Sequence, residues 1–226
     1  MKKISLLIFG LLFFVSCSND NEDVTTTNGN NNTTVTNNYQ AKSGNNLKPL
    51  YQAMTASKRY TDYDAAIKLF TAKMRFTGNT AQINTEAKLL GWINTNIALT
   101  SFNNYTEAET EWNSIKKSGE QLITDNQLFF QTLAGSQTQD FVVLLPEPDV
   151  VPASNPCMEA CGDVLDLTVE NAQTTLTNSM INGATEYVAT GNGAAFSATI
   201  ATATTLFKIQ TGIAVETYAD CILACL

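Results

Sequence analysis

Two five-residue stretches, Cys157-Met158-Glu159-Ala160-Cys161 and Cys221-Ile222-Leu223-Ala224-Cys225, decide how the second half of this chain folds. Each is a C-x-x-x-C pair. On a helix, positions i and i+4 lie on one face, one turn apart. A helix does not readily bridge its own i,i+4 thiols, because a disulfide holds the two β-carbons about 4 Å apart. Each pair therefore needs partners on another helix. In an antiparallel hairpin, paired positions are equidistant from the turn. Cys157 and Cys225 are centred on residue 191, and so are Cys161 and Cys221. Residue 191 is the first glycine of Thr190-Gly191-Asn192-Gly193, the best turn signal in this half. The spacing predicts Cys157–Cys225 and Cys161–Cys221 in a disulfide-clamped antiparallel helical hairpin over residues 157–226.

The flanks agree. Asn155 suits an N-cap, Pro156 the first helical position, and Glu159 the positive end of the helix. Val164, Thr168, Ala172, Leu176 and Met180 make one apolar stripe. Phe196, Ile200, Ala203, Phe207, Ala214 and Tyr218 make the other, running into Cys221. Thr199 to Thr205 is rich in Thr and Ala, so a strand is conceivable there. The four thiols also invite a Cys₄ zinc site. In an oxidising compartment, such as the one an exported chain would enter, disulfides persist instead. Neither pair has the C-x-x-C spacing of a redox motif. The pattern resembles the twin C-x-x-x-C hairpins of small mitochondrial intermembrane chaperones and plant α-hairpinins, which also pair outer with outer and inner with inner. The spacer here, 59 residues, is far longer than theirs, so the resemblance carries pairing logic and no function.

Upstream, residues 136–156 break the helical pattern with four of the chain's five prolines. Proline lacks an N–H and biases its predecessor to extended geometry. Phe141-Val142-Val143-Leu144-Leu145 is too apolar for a solvated linker, so an extended strap along the body is expected. Residues 47–135 read as a helical bundle. Pro49 marks a first helix, and Thr61-Asp62-Tyr63-Asp64 resembles a capping box for a second that stops at Gly78-Asn79. Ile83 to Ile97 carries a third. Thr106 with Glu109 forms a capping box for a long fourth that reaches Gly135. Asp62 to Phe70 resembles the second helix of a tetratricopeptide repeat, and Tyr105 to Ala108 echoes it. Their 42-residue separation does not match that repeat's period of about 34. The fold class expected is all-α.

The start of the chain has a separate logic. Lys2 and Lys3 precede an apolar run, Ile4 to Val15, too short to span a membrane but long enough for a signal-peptide core. Phe14-Val15-Ser16-Cys17 resembles a bacterial lipobox, with Phe14 in the place of the usual leucine. That resemblance implies cleavage before Cys17, leaving 1–16 as signal peptide, and a lipid on the Cys17 thiol. Asp20, Glu22 and Asp23 follow closely, as in the surface-export signal of Bacteroidota lipoproteins. Residues 18–46 hold ten Asn and six Thr with almost nothing apolar. Such a tract cannot repay its ordering entropy, so 17–46 reads as a lipidated tether.

Charge and chemistry narrow the function. Residues 118–226 hold one lysine against twelve acids, which disfavours nucleic acid and anionic lipid as partners. The chain has no histidine, which removes the commonest general base and every Ser-His-Asp triad. No phosphate-cradling glycine loop occurs. Asp163/Asp166 and Glu107/Glu111 sit at helical spacing, as solvated faces usually do, and Trp92 and Trp112 suit a core better than a ligand groove. No catalytic residue, cofactor or metal is assigned. The reading is a non-enzymatic lipoprotein of the outer membrane or cell surface. It would bind the membrane through its lipid and an envelope or protein partner through its body. A membrane-active hairpin, suggested by the single charge between Ala194 and Ile213, and a solute-binding bundle are the alternatives.

Overall fold

The computed structural model describes residues 47–225. The expected signal peptide and tether, with Cys17, lie outside the described residues. Those described form eight α-helices and no strand.

The first helix, α1 (Leu47–Thr55), carries Pro49 in its opening turn, where a missing N–H costs nothing. Helix α2 spans Lys58–Met74 and starts earlier than Thr61 suggests. Ser57 is its cap, with Oγ accepting the Tyr60 N–H at 3.2 Å. The Thr61 hydroxyl is committed to Ser57 O instead. The helix stops at Arg75, which adopts φ 53°, ahead of Gly78. Helix α3 (Glu86–Thr95) is capped by Thr85. Helix α4 (Tyr105–Asp125) is capped by Asn104 rather than Thr106, through Glu107 N–H at 2.9 Å. Glu107 reaches back to the Asn103 N–H at 2.7 Å, so Glu107 and not Glu109 is the acidic member of this N-terminus. The expected long fourth helix is two helices. Asn126 breaks it, its amide donating to Leu122 O at 2.8 Å, and α5 (Gln127–Ala134) follows. The strap is not extended throughout, because a short helix, α6 (Thr138–Val142), takes in the start of its apolar run and buries Phe141.

The hairpin follows the sequence closely. Helix α7 (Pro156–Thr190) is capped by Asn155 Oδ1 on Met158 N–H at 2.9 Å. Gly191 turns the chain at φ 70°, where a β-carbon would be strained. Asn192 then caps α8 (Gly193–Ala224), which runs as helix through Thr199 to Thr205. With 35 and 32 residues, the two helices are each about 50 Å long.

Composition explains why α8 is helical despite its Ala/Thr run. Its turn-proximal half is the central rod of the bundle, packed by α2, α3, α4 and α7. Phe196, Ser197, Ile200, Ala201, Thr202, Ala203, Thr205, Leu206 and Ile209 are all buried, which covers most of its circumference. Small side chains let the neighbours approach. At Gly119 of α4 an added β-carbon would collide with Ser197 Oγ, and that hydroxyl donates to Lys116 O. Around this rod lies one continuous core. Phe70 packs against Trp112 and Phe102 with ring centroids 5.2 Å apart in both pairs. Phe130 meets Phe196 edge-on at 5.2 Å, joining α5 to the hairpin. Leu176, Met180 and Ala184 of α7 belong to the same core.

Candidate functional site

Away from the turn, the hairpin leaves the bundle core. Residues 157–172 of α7 and 211–224 of α8, with Cys225 at its C-cap, form a two-helix stalk with a small cluster of its own: Cys161, Leu165, Val169, Ala214 and Tyr218. The stripe read from sequence shifts here. Leu165 and Val169 face α8, whereas Val164 and Thr168 are exposed, Val164 by 58%. Counting i+4 steps from Cys161 would have found the buried face, since Leu165 and Val169 continue that row.

Both bridges close at the stalk's end. Cys157 bonds Cys225 and Cys161 bonds Cys221, with Cα separations of 5.7 and 5.9 Å. These fall in the ordinary range for a disulfide. The sulfurs of Cys161, Cys221 and Cys225 lie within 4.8 Å of one another. As disulfides they carry no thiolate, and a zinc site requires thiolate.

One side of the seam is braced by the strap. The Val151 N–H donates to Tyr218 OH at 3.0 Å, and Gln173 Nε2 donates to Pro146 O at 2.9 Å. Val150 and Val151 remain about half exposed. A shallow groove of about 140 Å³ runs along the seam, lined almost wholly by apolar atoms of Val164, Leu165, Ile213, Ala214 and Tyr218 with the methyls of Thr168 and Thr217. Small-molecule sites usually run to about 300–1,000 Å³. Exposed Leu167, one turn from Val164, extends the apolar surface beside it.

The stalk is also uniformly acidic. Glu159, Asp163, Asp166, Glu170, Glu216 and Asp220 are all exposed. No Lys or Arg lies in either stalk segment. The described ion pairs all sit in the bundle, including Lys208 with Asp64 at 2.6 Å. Glu216 and Asp220 follow Ile213 and Thr217 by three residues on α8, which places both carboxylates beside the groove.

The bundle holds the other candidates. Glu107 and Glu111 share Lys73, which also sits 5.4 Å from the centre of the Phe102 ring. Lys73 and the Asn103 donors hold the Glu107 carboxyl down at about 2, and Glu111 and Glu107 push Lys73 up. This node ties the α2 end to the α4 start. Trp112 is fully buried, and its indole N–H donates to Glu86 Oε1 at 2.9 Å, an oxygen shared with Lys116 at 2.6 Å. Trp92 is half-buried against Phe76. Beside Glu86 an open cleft of about 390 Å³ is bounded by Asn84, Thr85, Ser179, Thr199 and Thr202 together with the apolar Ala195, Ala198, Ala203 and Leu206. Burial raises Tyr63 well above the usual phenol range, so it stays neutral in the core. Among the described residues no helix is long and apolar enough to cross a membrane. The Ala194 to Ile213 segment already commits most of its apolar face to the bundle.

No protein-family model matches the chain, and comparisons with curated proteins and with solved structures return no similar protein.

Proposed function

We propose that this chain is a lipoprotein anchored through Cys17 at the outer membrane, displayed at the cell surface, with a non-enzymatic interaction or structural role. The supporting observation is the partition of the cysteines. Four of five pair with one another at the stalk. Cys17 is the fifth cysteine of this sequence, outside both bridges, and it stands in Phe14-Val15-Ser16-Cys17, a setting that resembles a lipid acceptor. The acidic residues after it favour export to the surface, and the Asn/Thr tract would hold the body clear of the lipid heads. A body whose clearest exposed feature is an apolar, acidic stalk suits binding better than turnover. Growth in a clickable palmitate analogue is expected to label the wild-type chain and not Cys17→Ser, and protease added to intact cells is expected to shave the body. A labelled Cys17→Ser chain, or a body protected until lysis, contradicts the anchor or the display respectively.

A solute-binding bundle is the second reading, favoured by the cleft beside Glu86. A thermal-shift screen with small polar solutes tests it, and a shift abolished by Glu86→Gln would promote it over the first.

A further inference from the structure

We infer that the stalk groove is a docking site for a cationic amphipathic helix of a protein partner. The inference rests on the interaction role proposed above and names the chemistry of the partner. Three observations carry it. The groove is apolar, elongated along two helices and too small to enclose a small molecule, the geometry that receives a row of helix anchors at i, i+3, i+4 and i+7. Val164, which lines it, and Leu167, one turn further along α7, stand exposed. The stalk that carries the groove has six exposed carboxylates and no cation among its described residues, and Glu216 and Asp220 are the two that neighbour groove-lining residues.

Charge selects among occupants. A second copy would bring the same six acids against these six, and like charges across an interface oppose binding. An anionic lipid surface is repelled for the same reason. A helix with two or three apolar anchors flanked by Lys or Arg satisfies both features. Its anchors would fill the trough between Val164 and Ile213, and its cations would meet Glu216 and Asp220 on one flank. The disulfides keep the two walls at fixed separation, so the groove is already formed before the partner arrives.

The test uses the full chain and fluorescent helix-forming peptides of about five turns, read by anisotropy. One carries a Leu face with Lys/Arg flanks, one the same face with Glu flanks, and one Lys/Arg flanks around a Ser/Gln face. The first is expected to bind at least about tenfold more tightly than either of the others, with affinity falling as salt rises. Val164→Lys, at an exposed position that leaves helicity intact by circular dichroism, is expected to weaken it about tenfold. The double change Glu216→Gln with Asp220→Asn is expected to flatten the salt dependence. Equal binding of the first and third peptides, indifference to Val164→Lys, or concentration-dependent self-association with no peptide bound would each overturn the inference. The assay needs no lipid anchor. A failure here leaves the Cys17 reading standing, and an unlipidated Cys17 leaves the peptide result standing.

Discussion

The two halves of the hairpin solve one problem by different means. In the half towards Gly191, α8 is packed round by other helices and α7 lies against it, α5 and α6, and the pair is held by Phe196, Ile200, Leu206 and their neighbours in a shared core. Near the cysteines the same two helices have only each other and the strap, and five buried side chains hold them. Apolar burial contributes roughly 25 cal/mol per Å², and a two-helix contact this narrow offers little of it. The covalent bonds stand where the core runs out. A 226-residue chain has no general need of disulfides; one projecting element of it does.

The largest expected contrast comes from truncating one side chain in each half. Trp112→Ala removes the centre of the bundle and the donor to Glu86, and should cost about 3–5 kcal/mol in a urea titration of the whole cooperative transition. Leu165→Ala in the stalk should leave that midpoint nearly unmoved and raise hydrogen exchange only in the stalk. Equal midpoint shifts would break the comparison.

Much of this arrangement is legible in the sequence because covalent and turn geometry act locally. The equidistance of the four cysteines from Gly191, the Asn155-Pro156 start and the glycine turn suffice for the hairpin and its bridges. The bundle boundaries read less well, because several residues compete to cap each helix. Ser57 displaces Thr61 and Asn104 displaces Thr106, each choice made by which hydroxyl or amide reaches an orphan N–H. The sharing of one core between the bundle and the turn half is a long-range outcome that no local pattern encodes. The groove was hidden by the stripe through Val164 and Thr168, which looks buried by periodicity alone. Those residues are exposed because the stalk lacks a third helix to cover them.

Smaller effects sharpen the same contrast. Gly119→Val forces a side chain into Ser197 where α4 meets α8, and overpacking of this kind costs about 1–3 kcal/mol. An equivalent change at Gly162, which lies inside α7 and meets no atom within 4 Å, should be neutral or slightly stabilising, because valine is the better helix former. Denaturation midpoints of the two variants decide it. Removing one bridge should cost well under half of removing both. The two loops span 68 and 60 residues, so their closure entropies differ by about 0.1 kcal/mol and either bridge alone supplies most of the constraint. Midpoints for Cys157→Ser/Cys225→Ser and Cys161→Ser/Cys221→Ser should therefore nearly coincide.

The smallest effect is a pH dependence confined to the bundle. Glu107 is depressed to about 2 from a usual 4.5, so its contribution is present in full above 4.5 and lost as pH falls towards 2. The stability gap between wild type and Glu107→Gln should narrow across that window, with no change in stalk exchange. A gap that is constant from neutral pH to pH 2 would remove the Lys73 node from the account.

Hydrogen exchange followed by mass spectrometry, on the oxidised chain and on the chain reduced and alkylated, probes the division of labour itself. Reduction should release amides in 157–172 and 211–225 and leave 176–209 and α4 protected. Loss of protection throughout, or none in the stalk, would contradict it.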